Sequence, residues 1–253
     1  MKAHFSLVAL LTVSLSAGAG LSVAQAATQP ATTTAKKKKP KTSVAPTAPV
    51  KPPAEEPESP VIAPPPGSRP MEDLKKSHVK LQKLVGKSSP SWSPENDAKT
   101  EEVRTLVNGF LDFRELAQRA LAKHWPGIQP AKRAEFVATL RQLVERNYID
   151  SMNGSANYKL IWEKEEVKGS DATVLAQLTT MARSKPVNVA MEYRLVYKKR
   201  GWVVYDVVTD EQSLLETYRA EFNKVIKKES FDALLAKLKQ KLEEKKQNKA
   251  KGK

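Results

Sequence analysis

In the body of this 253-residue chain, the residues whose type and setting raise the question of chemistry are His78, His124, Asp206 and Ser213. A histidine beside a carboxylate could pass protons, and two histidines with a carboxylate could hold a metal. The spacing favours neither. His78 and His124 lie far apart and in no HExxH arrangement, and the chain has no cysteine, which removes thiolate metal sites, disulfides, thiol nucleophiles and lipid attachment through a cysteine. There is no glycine-rich phosphate loop and no GxSxG; Gly109, Gly127, Gly154, Gly169 and Gly201 mostly mark turns. Ser213 opens Ser213-Leu214-Leu215-Glu216, a capping box in which the hydroxyl and the carboxylate satisfy the free N–H groups of a helix start. His124 falls at a helix end before Trp125-Pro126, where a cation suits the helix dipole. Asp206, by strict alternation, shares a strand face with Trp202, Val204 and Val208, with Val203, Tyr205 and Val207 opposite, and reads as a hydrogen-bonded structural carboxylate. No catalytic residue, metal ligand or cofactor is therefore assigned.

The elements that carry these residues follow from period. Helical spacing of apolar residues predicts helices over about 71–85, 94–111 and 113–125. A fourth begins after Pro130, with Phe136, Val137, Leu140, Leu143, Val144 and Tyr148 at steps of three and four. At Asn153-Gly154 the period falls to two. Tyr158, Leu160 and Trp162, then Val174, Ala176 and Leu178, then Val187 through Tyr197, then Trp202 to Val208 alternate as four strands joined by short turns. Helix returns from Ser213 (Leu214, Leu215, Tyr218, Phe222, Val225 and Ile226) and from Ser230 (Phe231, Leu234, Leu235, Leu238 and Leu242). The layout is α+β: a twisted antiparallel sheet of about four strands wrapped by about six helices.

The ends differ in composition from this body. Residues 1–26 have a basic start, an apolar stretch from Phe5 and a small-x-small Ala24-Gln25-Ala26, the pattern of a signal peptide cleaved near Ala26. Residues 27–70 hold 12 of the 17 prolines and form a disordered Pro/Ala/Lys-rich linker. The folded domain is expected over 71–242, and 243–253 as a disordered lysine-rich tail. The net charge of +15 is concentrated in these ends: Lys237 to Lys253 alone contains eight lysines against two glutamates. An exported chain without an aromatic-interleaved basic stripe is not read as a nucleic-acid binder; attraction to anionic lipid surfaces is the more natural use of such charge.

Two stretches go beyond generic pattern. Asp112-Phe113-Arg114-Glu115-Leu116-Ala117, with Lys123-His124-Trp125 and then Arg133-Ala134-Glu135-Phe136, is one. Tyr193-Arg194-Leu195 with Gly201-Trp202-Val203-Val204-Tyr205-Asp206-Val207, then Ser213-Leu214, Tyr218-Arg219 and Phe222, is the other. These resemble the blocks of the MlaC family of periplasmic phospholipid-binding proteins, also called the toluene-tolerance auxiliary family, over about 71–238. Where that family usually has a Gly-apolar pair before the serine, this chain has Glu211-Gln212.

The resemblance implies an NTF2-like layout and a periplasmic phospholipid carrier, not an enzyme. Its expected partners are an inner-membrane ABC transporter and an outer-membrane lipoprotein complex, with transient membrane contact and no nucleic acid. The acyl chains are expected in an apolar cavity between helices and sheet, lined by Leu116, Phe136, Leu140, Leu143, Val144 and Tyr148 from the helices and by Val189, Met191, Tyr193 and Leu195 from the sheet. Two alternatives stay open from the residues: a basic envelope protein binding cell-surface polymers, and an NTF2-like enzyme whose pocket would bring Asp206, His124 and Tyr205 together.

Overall fold

A computed structural model describes residues 59–85, 97–152, 158–182 and 185–251. The expected signal peptide and most of the expected linker, up to residue 58, lie outside the described residues. The elements run in order α1 (Pro70–Val85), α2 (Asp97–Phe110), α3 (Phe113–Leu121), a 3-10 turn (Ala122–Gly127), α4 (Pro130–Met152), β1 (Tyr158–Lys168), β2 (Asp171–Ala182), β3 (Lys185–Lys198), β4 (Gly201–Thr209), β5 (Gln212–Ser213), α5 (Leu214–Lys228) and α6 (Phe231–Lys251). All strands pair antiparallel in the order β1-β2-β3-β4-β5, so the fold is α+β with a meander sheet.

The sheet has five strands where the sequence predicts about four. The extra one, β5, is a two-residue pairing of Gln212 and Ser213 with Thr209 and Val208, too short to leave a periodic signal. It is reached through Asp210 and Glu211, both with positive φ (46° and 67°). That is the backbone of a tight hairpin turn that glycine adopts without cost. The predicted third helix is cut short as well. It stops at Leu121, where Ala122 turns to φ 45°, and the chain continues as 3-10 through Trp125-Pro126. Pro126 has no N–H to give the Ala122 carbonyl, so an α-helix could not have run on through it. At the other end, the sequence pattern closes the last helix at Leu242, whereas the helix continues to Lys251. Before α1, the backbone of residues 61–62 joins the sheet: Val61 bridges Lys198, and the Ile62 N–H donates to the Tyr197 carbonyl.

Apolar side chains form two clusters. One lies among the helices: Leu116 and Leu121 of α3, Phe136, Leu140, Leu143 and Val144 of α4, Tyr218 and Phe222 of α5, and Leu234 and Leu238 of α6. Phe136 meets Phe222 edge-on at 5.4 Å, and Tyr218 stacks on Phe222 at 5.2 Å. The other covers one sheet face: Val174, Ala176 and Leu178 of β2, Val189, Met191, Tyr193 and Leu195 of β3, Trp202, Val204 and Val207 of β4, and Met71 and Leu74 of α1. Phe110 and Leu111 pack against both.

Alternation along β4 breaks in the middle. Leu195 pairs with Val204 but Arg194 pairs with Asp206, so Tyr205 is an extra residue, a β-bulge. A bulge shifts side-chain parity. Val207, expected opposite Trp202 and Val204, joins them in the sheet cluster, and Asp206, expected beside them, turns to the other face with Arg194. Strict alternation misplaces both because a single inserted residue leaves no trace in composition.

Candidate functional site

The link between helices and sheet is built at the end of α2. The Leu111 backbone pairs with Val204, and the Asp112 N–H donates to the Val204 carbonyl at 2.8 Å. Asp112 then caps α3, accepting the Glu115 N–H at 2.9 Å, which fixes the direction in which that helix leaves the sheet. Its other oxygen meets Lys198 Nζ at 2.9 Å, and the same ammonium lies 2.8 Å from Glu115 Oε2. Burial alone would raise the Asp112 pKa. The Glu115 N–H, the Lys198 ammonium and the nearby Arg200 outweigh it and hold the carboxyl below its ordinary value.

Asp206 fastens α5 in the same manner. Its oxygens accept from Leu215 N–H at 2.9 Å, Ser213 Oγ–H at 2.7 Å and Arg194 Nη1–H at 3.2 Å. Ser213 in turn accepts the Glu216 N–H at 3.0 Å, the first half of the expected capping box. Tyr205, thrown out by the bulge, lies under the Arg119 guanidinium of α3, 3.8 Å from its ring centre.

These anchors surround an apolar cavity of about 30 Å³ at the seam between the clusters, lined by Leu111, Asp112, Phe113, Leu116, Val144, Val204, Tyr205, Asp206, Val207 and Leu214. With both carboxylates turned onto their cationic and N–H partners, the wall is left apolar. Of the residues expected to line a cavity, Leu116 and Val144 are on this wall. Phe136, Leu140 and Leu143 are buried deeper in the helix cluster, and Val189, Met191, Tyr193 and Leu195 in the sheet cluster. The side chain of Tyr148 lies outside the described residues. The structure thus divides the expected set between two apolar bodies in contact. A void of this size holds about one water, not an acyl chain.

Asp206, Tyr205 and His124 do not converge. The first two border the seam, while His124 Nε2 sits 3.0 Å from Asn223 Oδ1. Among the described residues no group of His, Asp or Glu is disposed to hold a metal, and no helix is long and apolar enough to cross a membrane.

The residue that the sequence pattern left without a role is His78. Itself half-buried, it completes a helical stripe on α1 with the buried Met71, Leu74 and Leu81. Its ring is enclosed by Phe110 (centroids 6.4 Å apart), Trp162 (5.3 Å) and Tyr193 (5.9 Å), and Nε2 lies 3.2 Å from the Tyr193 hydroxyl. Burial pushes its pKa down from 6.5 to about 4, and raises that of Tyr193. The unfolded chain therefore binds a proton below about pH 6.5 that the folded chain refuses until about pH 4. Stability should fall across that window as pH drops, by roughly 3 kcal/mol in all. Urea unfolding at pH 7.5 and 4.5 checks this: the loss is expected to be about 2–3 kcal/mol smaller in His78→Phe.

Comparison with known proteins places this architecture. A phospholipid-binding protein from Ralstonia solanacearum, solved in complex with a phospholipid, superposes with a TM-score of 0.57 at 20% identity, over 70% of this chain and 98% of that one, which shows a shared fold. The intermembrane phospholipid transport system binding protein MlaC of Haemophilus influenzae is 22% identical over 144 residues, 54% of this chain and 67% of the relative. The sequence model of the MlaC protein family matches residues 79–240, the greater part of the described elements, and the chain belongs to that family.

Proposed function

We propose that this protein is a periplasmic phospholipid carrier that takes the acyl chains of its cargo between the helix cluster and the sheet cluster. The observation that carries this reading is the seam itself: two apolar bodies meet there around a small cavity, with Phe110 and Leu111 packed against both. Parting the clusters along the seam opens an apolar slot without unpairing any strand. Chains then replace protein–protein apolar contact on both walls, each buried CH₂ contributing about 0.8 kcal/mol. Leu116 and Val144 are the first helix residues a chain would meet. Phe136, Leu140, Leu143 and Tyr148 back that wall, and Val189, Met191, Tyr193 and Leu195 form the other.

Membership of the MlaC family supports shuttling between an inner-membrane ABC transporter and an outer-membrane lipoprotein complex. The lysine-rich end of α6 suits transient contact with anionic lipid surfaces, at about 1 kcal/mol per basic residue near the surface. The test is native mass spectrometry with lipid extraction on the full chain purified without detergent. Near-stoichiometric phospholipid is expected, retained when residues 27–58 are deleted. Protein that stays empty after exposure to phospholipid vesicles sinks the reading.

A further inference from the structure

The stripe that α1 lays on the sheet is apolar at Met71, Leu74 and Leu81 and polar at His78. An imidazole set among Phe110, Trp162 and Tyr193 must have both ring nitrogens accounted for, since an unpaired buried polar group is costly. Nε2 has the Tyr193 hydroxyl at 3.2 Å; Nδ1 is buried and has no hydrogen-bond partner. If Nε2 accepts the Tyr193 proton, Nδ1 carries the ring's own proton and is a donor with nothing to receive it. In the other tautomer Nδ1 is an acceptor with no donor. Either way the protein alone leaves the atom unsatisfied.

Its position adjoins the proposed slot. Phe110, beside the His78 ring, packs against both apolar clusters. On the β1 side, Tyr158, Leu160 and Trp162 are only half-buried, so the sheet face is least covered there. A ligand lying between the clusters with its polar end toward β1 would bring the junction of tails and headgroup to His78.

We propose that His78 Nδ1–H, held in that tautomer by the Tyr193 hydroxyl, donates a hydrogen bond to an ester carbonyl of the bound phospholipid and so sets how deeply the acyl chains insert. This rests on the carrier reading and adds a ligand chemistry to it: the cargo is recognised by its ester linkage as well as by its apolar length. Ether-linked lipids, which have tails and headgroup but no carbonyl, are discriminated against.

The full chain, freed of lipid, is exposed to vesicles holding equal amounts of diester and diether phosphatidylglycerol with matched chains, and the bound lipids are weighed by native mass spectrometry. The wild-type protein is expected to carry the diester in about 5–10-fold excess, the worth of one hydrogen bond between neutral groups. His78→Phe, which keeps the ring and removes both nitrogens, should bring the ratio to within twofold of unity. His78→Asn, whose amide can replace Nδ1, should recover part of the preference, and His78→Gln less. Equal uptake of the two lipids by the wild-type protein overturns the proposal whatever the variants do, and so does an undiminished preference in a folded His78→Phe. If the wild-type protein takes up neither lipid, the carrier reading itself fails, an outcome distinct from binding without discrimination.

Discussion

Lys198→Met is expected to lower the stability of the fold by about 3 kcal/mol, because it removes the buried ammonium shared by Asp112 and Glu115 and leaves only the partly exposed Arg200 and Arg119 beside them. The Lys198 side chain is 4% exposed and reaches both Asp112 and Glu115, themselves 8% and 13% exposed. Arg200, 3.5 Å from Asp112 and 44% exposed, and Arg119, 2.7 Å from Glu115 and 32% exposed, substitute for it in part. The cost is mainly the desolvation of unpaired charge, not the loss of an intrinsically strong bond. Adding Asp112→Asn to the lysine variant should therefore restore part of the loss, and a double-mutant cycle by urea unfolding measures it. If the single variant unfolds within 1 kcal/mol of wild type, the three groups are not the closed cluster described.

Asp206→Ala should be comparably damaging, about 3–5 kcal/mol, for a different reason. The aspartate carboxylate is fully enclosed and receives three donors: one from Arg194, one from Ser213 and one from the first turn of α5. Truncation strands the buried Leu215 N–H, leaves Arg194 with Glu192 as its carboxylate, and unties the helix start that places Leu214 on the cavity wall. Asp206→Asn, which keeps the shape but must turn an NH₂ toward one of those donors, should fall between alanine and wild type. Amide hydrogen exchange gives the local readout: protection at Leu215 and Glu216 should drop before the rest of α5 is affected. Uniform loss along the helix would mean that the carboxylate supports packing and not the cap.

The parts of this architecture that were legible in the sequence are those fixed by local rules. The serine cap at Ser213, the four main strands, the turns at Gly169 and Gly201, and the start of α4 at Pro130 are properties of a few adjacent residues, and the structure has each of them; the reciprocal half of the capping box gives way to the Glu216 pair with Arg219. Asp206 was readable as a bonded structural carboxylate, although not on its proper face, since the bulge at Tyr205 depends on what β4 lies against. Lys198 looked like one more solvent-facing residue of an alternating strand. Only the arrival of α3, carried by the Asp112 contact with Val204, buries it. His78 was visible as a histidine but not as an enclosed one, because its aromatic surroundings come from α2, β1 and β3. The apolar residues expected around the slot were found by period. Period reports that a face is covered and says nothing of what covers it, so their division into two bodies was out of reach.

The extra residue in β4 also constrains how this chain can change over time. Point substitutions along the strand alter single contacts, but a deletion in its regularly paired part shifts the register by one and turns the residues beyond it to the opposite face, whereas one at Val204 or Tyr205 would close the bulge and leave Asp206 opposite Arg194. Outside the bulge, the stretch from Trp202 to Leu215 therefore behaves as a ruler: apart from the anchoring Asp206 and Ser213, its length is more constrained than its residue types.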